Sequence, residues 1–498
     1  MLKTGDDHLR GLRDGRVVYL GSERIDDVTT HPAFSEAAQT VAQMYDLKRS
    51  TALLDVCSYK LADERYSAWW LPAKTKDDLR LRMQCSKAVA DMTYGMMGRT
   101  PDHVNGFVTG MITDPTVFNT EKYKFSENIV RYYDYCRDRD LFLTNAVLPP
   151  QAARDPNYYT RKNLPVPTLK VIRETDDGIV IDGMKMLASS AVLGDEIWIG
   201  NLLPLAPNQT NEGVTCAIPV NAEGLRLWSR QPLSRNTPTE FDGPLAWRFD
   251  ETDSMVMCKE VKVPWERVFV FDDSVLPREI YIRTAAHNYG NNQSNVRFLS
   301  KLQLIVGVCS KIACSSGANE VPAVREVLGR MAALEALLSG AIHGQIEAAE
   351  EWPAGYMVFN RRMLYAALNW CTEMYSPIID QLRELCGGGV FQLPANATVM
   401  HDTEMREEFE KYWQTPQMAA LDRMKLFKLA WDLVGSEFAG RQQQYEKFYA
   451  GAAFIVRGHN YREADWDFFH GIVDKLMNSY DVSVGDCLDQ KRDGGDQR

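Results

Sequence analysis

The order of hydrophobic periodicities along this 498-residue chain restricts its fold more than any single motif does. From the start to about Asp140, stretches such as DDLRLRMQCSKAVADMTYGMMG and FSENIVRYYDYCRDRDLF repeat apolar residues at three and four, the spacing of one helix face. Between about Pro165 and Val270 the pattern changes to short β-rich runs, LKVIRE, GIVIDGMKML, EIWIGNLL, VTCAIPV, SMVMCKEVKV and RVFVF, punctuated by Gly, Asp, Asn and Pro turns. Beyond about Pro277 long helical stretches return, beginning NVRFLSKL, VPAVREVL, NRRMLYAA and ALDRMKLF, and these fit an antiparallel bundle. The expected class is α+β, with an N-terminal helical domain over residues 1–145, a middle β-domain over 146–275 and a C-terminal helical bundle over 276–498. The last segment, DCLDQKRDGGDQR, reads as a frayed polar tail.

Several function classes fall away on composition. A formal net charge of -11 argues against a broad phosphate-binding surface, and so against nucleic acid as a partner. No uninterrupted apolar run approaches the roughly 20 residues of a membrane helix, and the start MLKTGDDHLRGLRDGR lacks the apolar core of a signal peptide. A cytoplasmic enzyme with no membrane contact is expected. The 10 cysteines and 8 histidines are dispersed without CxxC or HExxH, so the thiols read as reduced and no metal site is expected. There is no GxGxxG after a strand and no GxxxxGK[ST]; the run Cys386 to Val390 follows a helix and reads as its stop. Any electrons used in redox chemistry must therefore arrive from elsewhere.

The segment Gly98-Arg99-Thr100-Pro101-Asp102-His103-Val104 concentrates the chemistry. Thr100 suits an N-cap, Pro101 the first helical position and Asp102 the first turn. Free N–H groups at that helix start, with Arg99 outside and His103 inside it, would stabilise a negative oxygen on a phenolate, carboxylate or peroxide. Elsewhere the plainer reading is preferred. Arg248, Asp250, Glu251 and Asp253 in RFDETD are expected to fix a β-turn, Trp265 to lie in the core, His31 to cap a turn and His287 to be a satisfied core histidine. The loops 200–214 and 230–247 are expected to line the aromatic end of a pocket, the first as a lid.

The order helices, β-domain, bundle is that of the acyl-CoA dehydrogenase class, in which flavin lies between the β-domain and the bundle. DGRVVYLGSERIDDVTTHPAF, MGRTPDHV, DDGIVIDGMKMLASSAVLGDE, RFDETDSMVMCKEVKVPWERVFV and RMKLFKLAWDLVGSEFAGRQQQYEKFYAG narrow this further. With these motifs in order from about Thr4 to Asp481, the chain resembles the large oxygenase component of the two-component 4-hydroxyphenylacetate 3-hydroxylase family. The resemblance implies a homotetrameric, FADH2-dependent monooxygenase, supplied with reduced flavin by a separate NAD(P)H-flavin reductase and using O2 as co-substrate. It would hydroxylate a small aromatic ortho to a phenolic hydroxyl, through a flavin C4a-hydroperoxide.

By motif, Arg99 matches the family's active-site arginine. His103 stands where relatives usually have Tyr, and Asn145 in TNAVLPPQAAR stands where they usually have His. Asn cannot take a proton at neutral pH, so either His103 supplies the missing base or it only hydrogen-bonds substrate. These two exchanges point away from 4-hydroxyphenylacetate itself, toward a different phenol, an aminoaryl or pyrrole-type acid, or a carrier-bound aromatic. The resemblance further places Asn145, Gln151, Arg154 and Ser189 at the flavin, with Arg441, Tyr449 and Gly451 reaching it near the chain's end. An ion pair is the plain alternative for Arg154 and Arg441, and a strand-end turn for Ser189. Two rival functions are a 4-hydroxybutyryl-CoA dehydratase-like flavin lyase, which needs clustered Cys and His ligands, and a non-catalytic flavin-binding subunit.

Overall fold

The computed structural model describes residues 2–480, so the polar tail 486–498 lies outside the described residues. The N-terminal region contributes strands β1 (Val18–Leu20) and β2 (Glu23–Ile25) and helices α1 (Ser35–Leu47), α2 (Lys76–Met92), α3 (Pro101–Met111) and α4 (Ser126–Arg139). Strands β3 (Leu143–Ala146), β4 (Lys170–Thr175), β5 (Gly178–Ser189), β6 (Glu196–Ile199), β7 (Thr215–Pro219), β8 (Leu225–Ser229), β9 (Asp253–Pro264) and β10 (Val268–Val270) follow. They form two sheets, ordered β2-β1-β8-β9-β5-β4 and β10-β7-β6-β3. Within them β1 runs parallel to β8 and β3 parallel to β6, while the other neighbours are antiparallel.

Two features of the first region differ from its helical reading. Val18 and Ile25 are buried, so the short segment around them completes the middle sheet as β1 and β2 instead of joining the helical layer. A further hairpin pairs Ser58–Leu61 with Glu64–Ser67. The strand runs of the middle region appear where the β-rich sequences predict them. Inward residues alternate along the first half of β9, and β6 is buried throughout, with Trp198 stacked on Phe269 at 4.8 Å and 6°.

The C-terminal region contains α5 (Ala286–Ser315), α6 (Pro322–Glu347), α7 (Arg361–Cys386), α8 (Ala420–Val434), α9 (Glu437–Phe448), α10 (Ala453–Glu463) and α11 (Trp466–Met477). The stretch beginning ALDRMKLF reads as one helix by periodicity, but it is two. Gly435 has Trp431's ring where a Cβ would go, and Ser436 starts α9 by accepting from the Ala439 N–H. Helix α5 is the axis of the molecule, packing on α2, α3, α6 and α7. It is long and apolar enough to cross a membrane by composition alone, yet most of it is buried against these neighbours. One continuous apolar core runs through all three regions. At its polar edge the start of α3, the middle of α5, the face of α9 and the turn before β9 converge.

Candidate active site

The chain approaches this junction through a loop that admits no side chain at Gly98. A Cβ there would fall 1.9 Å from the hydroxyl of Tyr445 on α9. The backbone N–H groups of Gly98 and Arg99 both donate to Glu251 Oε2, at 2.8 and 2.7 Å. A buried carboxylate more than 150 residues away therefore fixes the main chain and leaves the Arg99 side chain to be placed separately. Its Nη2 donates to the Tyr449 carbonyl at 2.9 Å, and its Nη1 meets His103 Nε2 at 2.5 Å. Both partners are neutral, and among the described residues Arg99 forms no ion pair.

Helix α3 begins at Pro101 as its sequence predicts, but Thr100 does not cap it with its side chain. The hydroxyl donates to Asp102 Oδ1 at 2.5 Å and accepts from Gln293 Nε2 at 3.1 Å. Burial pushes the Asp102 carboxyl above its ordinary range. His103 is buried one turn behind Arg99, its Nδ1 3.2 Å from Gln293 Oε1 and its ring edge-on to Phe107 at 5.0 Å. Burial and then the Arg99 charge hold its imidazole well below the usual range, so it is neutral at pH 7.

The RFDETD segment has a wider part than turn formation. Asp250 does fix the turn, accepting from the Thr252 and Leu233 N–H groups. Glu251 and Asp253 instead bind Arg441: Nη1 to Glu251 Oε1 at 2.6 Å, Nε and Nη2 to Asp253 at 3.2 and 2.9 Å. Asp253 also accepts from Ser189 Oγ at 2.5 Å and from Arg230 Nε at 2.8 Å. Arg441 is thus placed in the interdomain ion pair foreseen as its plain alternative, and Ser189 is tied to the same carboxylate. Behind them the rings of Tyr445 and Tyr449 stack at 5.5 Å, with Arg441 over Tyr445 and Arg297 over both. The hydroxyl of Tyr449 is buried with no partner among the described residues. Gly451 follows with φ +100°, where the chain turns from α9 toward α10.

A second group of sequence-predicted residues lies along the middle domain. Asn145 is half-buried on β3 opposite Trp198, and its side-chain amide has no partner among the described residues. Gln151 and Arg154 stand exposed on the short turn of helix Gln151–Arg154 just after it. A bridge between Leu148 and Met186, with Met186 N–H donating to the Leu148 carbonyl at 2.9 Å, ties this segment to β5 three residues before Ser189. One edge therefore carries Asn145, Gln151, Arg154 and Ser189, and Asp253 links that edge to the arginine junction.

Of the residues given plainer roles, His31 accepts from the Ala33 N–H, and Trp265 is half-buried against Tyr123 and Phe125. His287 bonds the Tyr365 hydroxyl at 2.8 Å and lies 6.4 Å from Phe107, with burial lowering its imidazole to about 3. Glu251, Asp253 and Gln293 belong to the junction but carried no such expectation. Gln293 had a signal, since five buried amides between Asn288 and Asn295 are too many for an ordinary core helix. Among the described residues no three His, Cys, Asp or Glu side chains stand together as metal ligands.

The chain matches the models for the 4-hydroxyphenylacetate 3-hydroxylase N-terminal region over residues 4–270 and C-terminal region over residues 278–478. It is 30% identical over 491 residues to the pyoverdin chromophore biosynthetic protein PvcC of Pseudomonas aeruginosa, covering 97% of this chain and 96% of that protein. The 4-hydroxyphenylacetate 3-monooxygenase oxygenase component of Thermus thermophilus is 32% identical over 456 residues, with 91% and 92% covered. A crystal structure of a 4-hydroxyphenylacetate 3-monooxygenase oxygenase component, complexed with FAD and 4-hydroxyphenylacetate, superposes with TM-score 0.89 at 29% identity. It covers 96% of this chain and 98% of that one.

Proposed function

The chain belongs to the 4-hydroxyphenylacetate 3-hydroxylase family, and from that membership we propose the part each residue plays and the kind of substrate it takes. It is the oxygenase component of a two-component, flavin-dependent monooxygenase acting on an aromatic ring, and a separate flavin reductase is its partner. The substrate is a phenol, hydroxylated ortho to its hydroxyl. The exchanges at His103 and Asn145 favour a phenol other than 4-hydroxyphenylacetate, either free or carrier-bound.

The observation that carries this reading is the state of Arg99: a fixed guanidinium at a helix start, half-buried, with only neutral partners. Arg441 and Arg297 have spent their charge on carboxylates. Arg99 has not, so it binds the phenolic oxygen, favours the phenolate and so raises electron density at the ortho carbon. His103 Nε2 is the acceptor for Arg99 Nη1 and is too weakly basic to take the phenol proton. The geometry therefore speaks against the base role considered for it and adds one not foreseen, that of holding the arginine. The Asn145 amide hydrogen-bonds and moves no proton.

The chain's residues fit a bound flavin. Among the described residues the half-buried Asn145 amide and the buried Tyr449 hydroxyl lack partners, Arg154 is exposed in the turn that follows Asn145, and the main chain at Gly451 leaves room for close approach. Asn145, Ser189, Tyr449 and Gly451 would hold the ring system, while Gln151 and Arg154 meet the phosphates and Arg441 keeps the two walls together. When bound, FADH2 with O2 supplies the oxygen atom that is transferred. The proposed domains 1–145, 146–275 and 276–498 each supply part of the site: Arg99 and His103 come from the first, Ser189, Glu251 and Asp253 from the second, and Arg297 and Arg441 from the third. A cytoplasmic location suits an enzyme that draws on an NAD(P)H-dependent reductase.

Rapid mixing of the anaerobic protein and FADH2 with oxygenated buffer tests the reading against a panel of free and carrier-tethered phenols. One phenol should accelerate flavin reoxidation and yield its ortho-hydroxylated product. Reoxidation to free H2O2 with every phenol would overturn it.

We also propose a homotetramer. None of α11 is buried, and Phe468, Ile472 and Leu476 recur on one face, 58%, 54% and 64% exposed. A repeated apolar stripe of this kind is the surface a symmetric oligomer covers. Sedimentation should give four times 56.5 kDa, and Ile472→Asp with Leu476→Asp should reduce the mass. A wild-type monomer would refute it.

A further inference from the structure

We propose that Gln293 is a positioning residue that locks His103 as its Nδ1–H tautomer and thereby aims Arg99. The proposal rests on the monooxygenase reading and extends it to a buried residue that acts through His103. A guanidinium only donates, so the short contact between Arg99 Nη1 and His103 Nε2 requires a lone pair on Nε2. The ring is neutral, so its one proton is on Nδ1 and is donated to Gln293 Oε1 at 3.2 Å.

The amide's own orientation is fixed from its other end. Gln293 Nε2 donates to Thr100 Oγ1 at 3.1 Å and to Asp102 Oδ1 at 3.3 Å, while Thr100 donates its own proton to Asp102. A flipped amide would set its oxygen against the Asp102 carboxylate and its N–H against His103 Nδ1. The imidazole would then carry its proton on Nε2, facing an arginine N–H. One flip therefore breaks the match at both ends, and the chain Asp102, Thr100, Gln293, His103, Arg99 has a single consistent direction. The groups that face the ring from neighbouring elements are Arg99, the more distant Arg297, the Gly290 backbone and the Phe107 edge. None of these reads Asp102. Among the described residues, Gln293 is the side chain that links that carboxylate to the imidazole by hydrogen bonds.

The substitution Gln293→Leu removes the side-chain amide acceptor from the buried Nδ1–H, with an expected loss of roughly tenfold in product formed per O2 consumed. Gln293→Glu restores an acceptor at the same place and should recover most of that yield, with a pH profile displaced upward because its carboxylate favours the imidazolium. In a His103→Phe background, Gln293→Leu should cost nothing further, since the chain is already cut. Equal losses in both backgrounds would mean that Gln293 acts structurally and would overturn the proposal.

Nitrogen-15 NMR of histidine-labelled protein, assigned with His103→Phe, reads the tautomer without turnover. A proton on Nδ1 in the native protein, and a tautomer mixture in Gln293→Leu, are the expected results; an Nε2–H native ring would refute the lock even if hydroxylation is observed. If no phenol is hydroxylated while NMR shows the Nδ1–H tautomer, the function is misread and the lock stands.

Discussion

Replacing Arg99 with alanine should lower the yield of hydroxylated product per O2 by about 100-fold or more, while the protein stays folded and goes on reoxidising FADH2. The size follows from losing a fixed donor aimed at developing negative oxygen, which costs about 10²–10³ in rate. The specificity of the loss follows from the way the loop is built. Glu251 holds the backbone N–H groups of residues 98 and 99, and these survive truncation of the side chain. The thermal midpoint should therefore move little, whereas a structural arginine buried in an ion pair would take the fold with it. Arg99→Lys is the sharper variant. An ammonium cannot reach the Tyr449 carbonyl and His103 together in one plane, so charge is kept and direction is lost. Less than about a tenth of the wild-type yield is expected, with the missing electrons found as H2O2. Near-normal coupling in either variant would mean that Arg99 serves only to tie α3 to α9.

What the sequence discloses and what it conceals divide by distance along the chain. The start of α3 is legible because Arg99, Thr100, Pro101, Asp102 and His103 all act within one turn of one another. Asn145, Gln151 and Arg154 are likewise adjacent, so their shared edge follows from any fold that places β3 there. Glu251 is different. Its partners are Arg99, 152 residues before it, and Arg441, 190 after it, and RFDETD reads locally as a turn because Asp250 does make one. The capping hydroxyl of Thr100 misleads for the same reason, since Gln293 draws it away from the helix. In the fold, helix periodicity carries straight through 420–449, and the break at Gly435 becomes visible only once the Trp431 ring occupies the place of its Cβ. The strands β1 and β2 are too short for periodicity to register, and their burial depends on a sheet whose other strands lie some 200 residues later.

Glu446→Gln should destabilise the protein by about 3–5 kcal/mol at pH 7, more than any other single change at this junction. Glu446 is fully buried on α9, taking a bidentate pair from Arg297 at 2.6 and 2.8 Å and a further contact from Lys301. Burial alone would push its carboxyl up, but Arg297 and Lys301 outweigh that and hold it at about 2. The amide keeps the shape and loses the charge, leaving two cations in the core. The pH dependence follows in sign. A carboxyl with a folded pKa below its ordinary 4.5 contributes stability that is complete above that value and is lost as pH falls toward about 2. Urea midpoints of the wild type should therefore decline between pH 4.5 and 2 more steeply than those of Glu446→Gln. Replacing all three charges with methionine removes both the attraction and the desolvation penalty, and should restore stability to near or above the wild type. It should not restore hydroxylation. Arg297 lies 5.3 Å from the rings of both Tyr445 and Tyr449, and the Tyr449 carbonyl is one of the two points that orient Arg99. A triple-methionine protein that is stable yet poorly coupled would show that the buried charges are kept to aim the arginine. Full coupling would show that packing alone suffices.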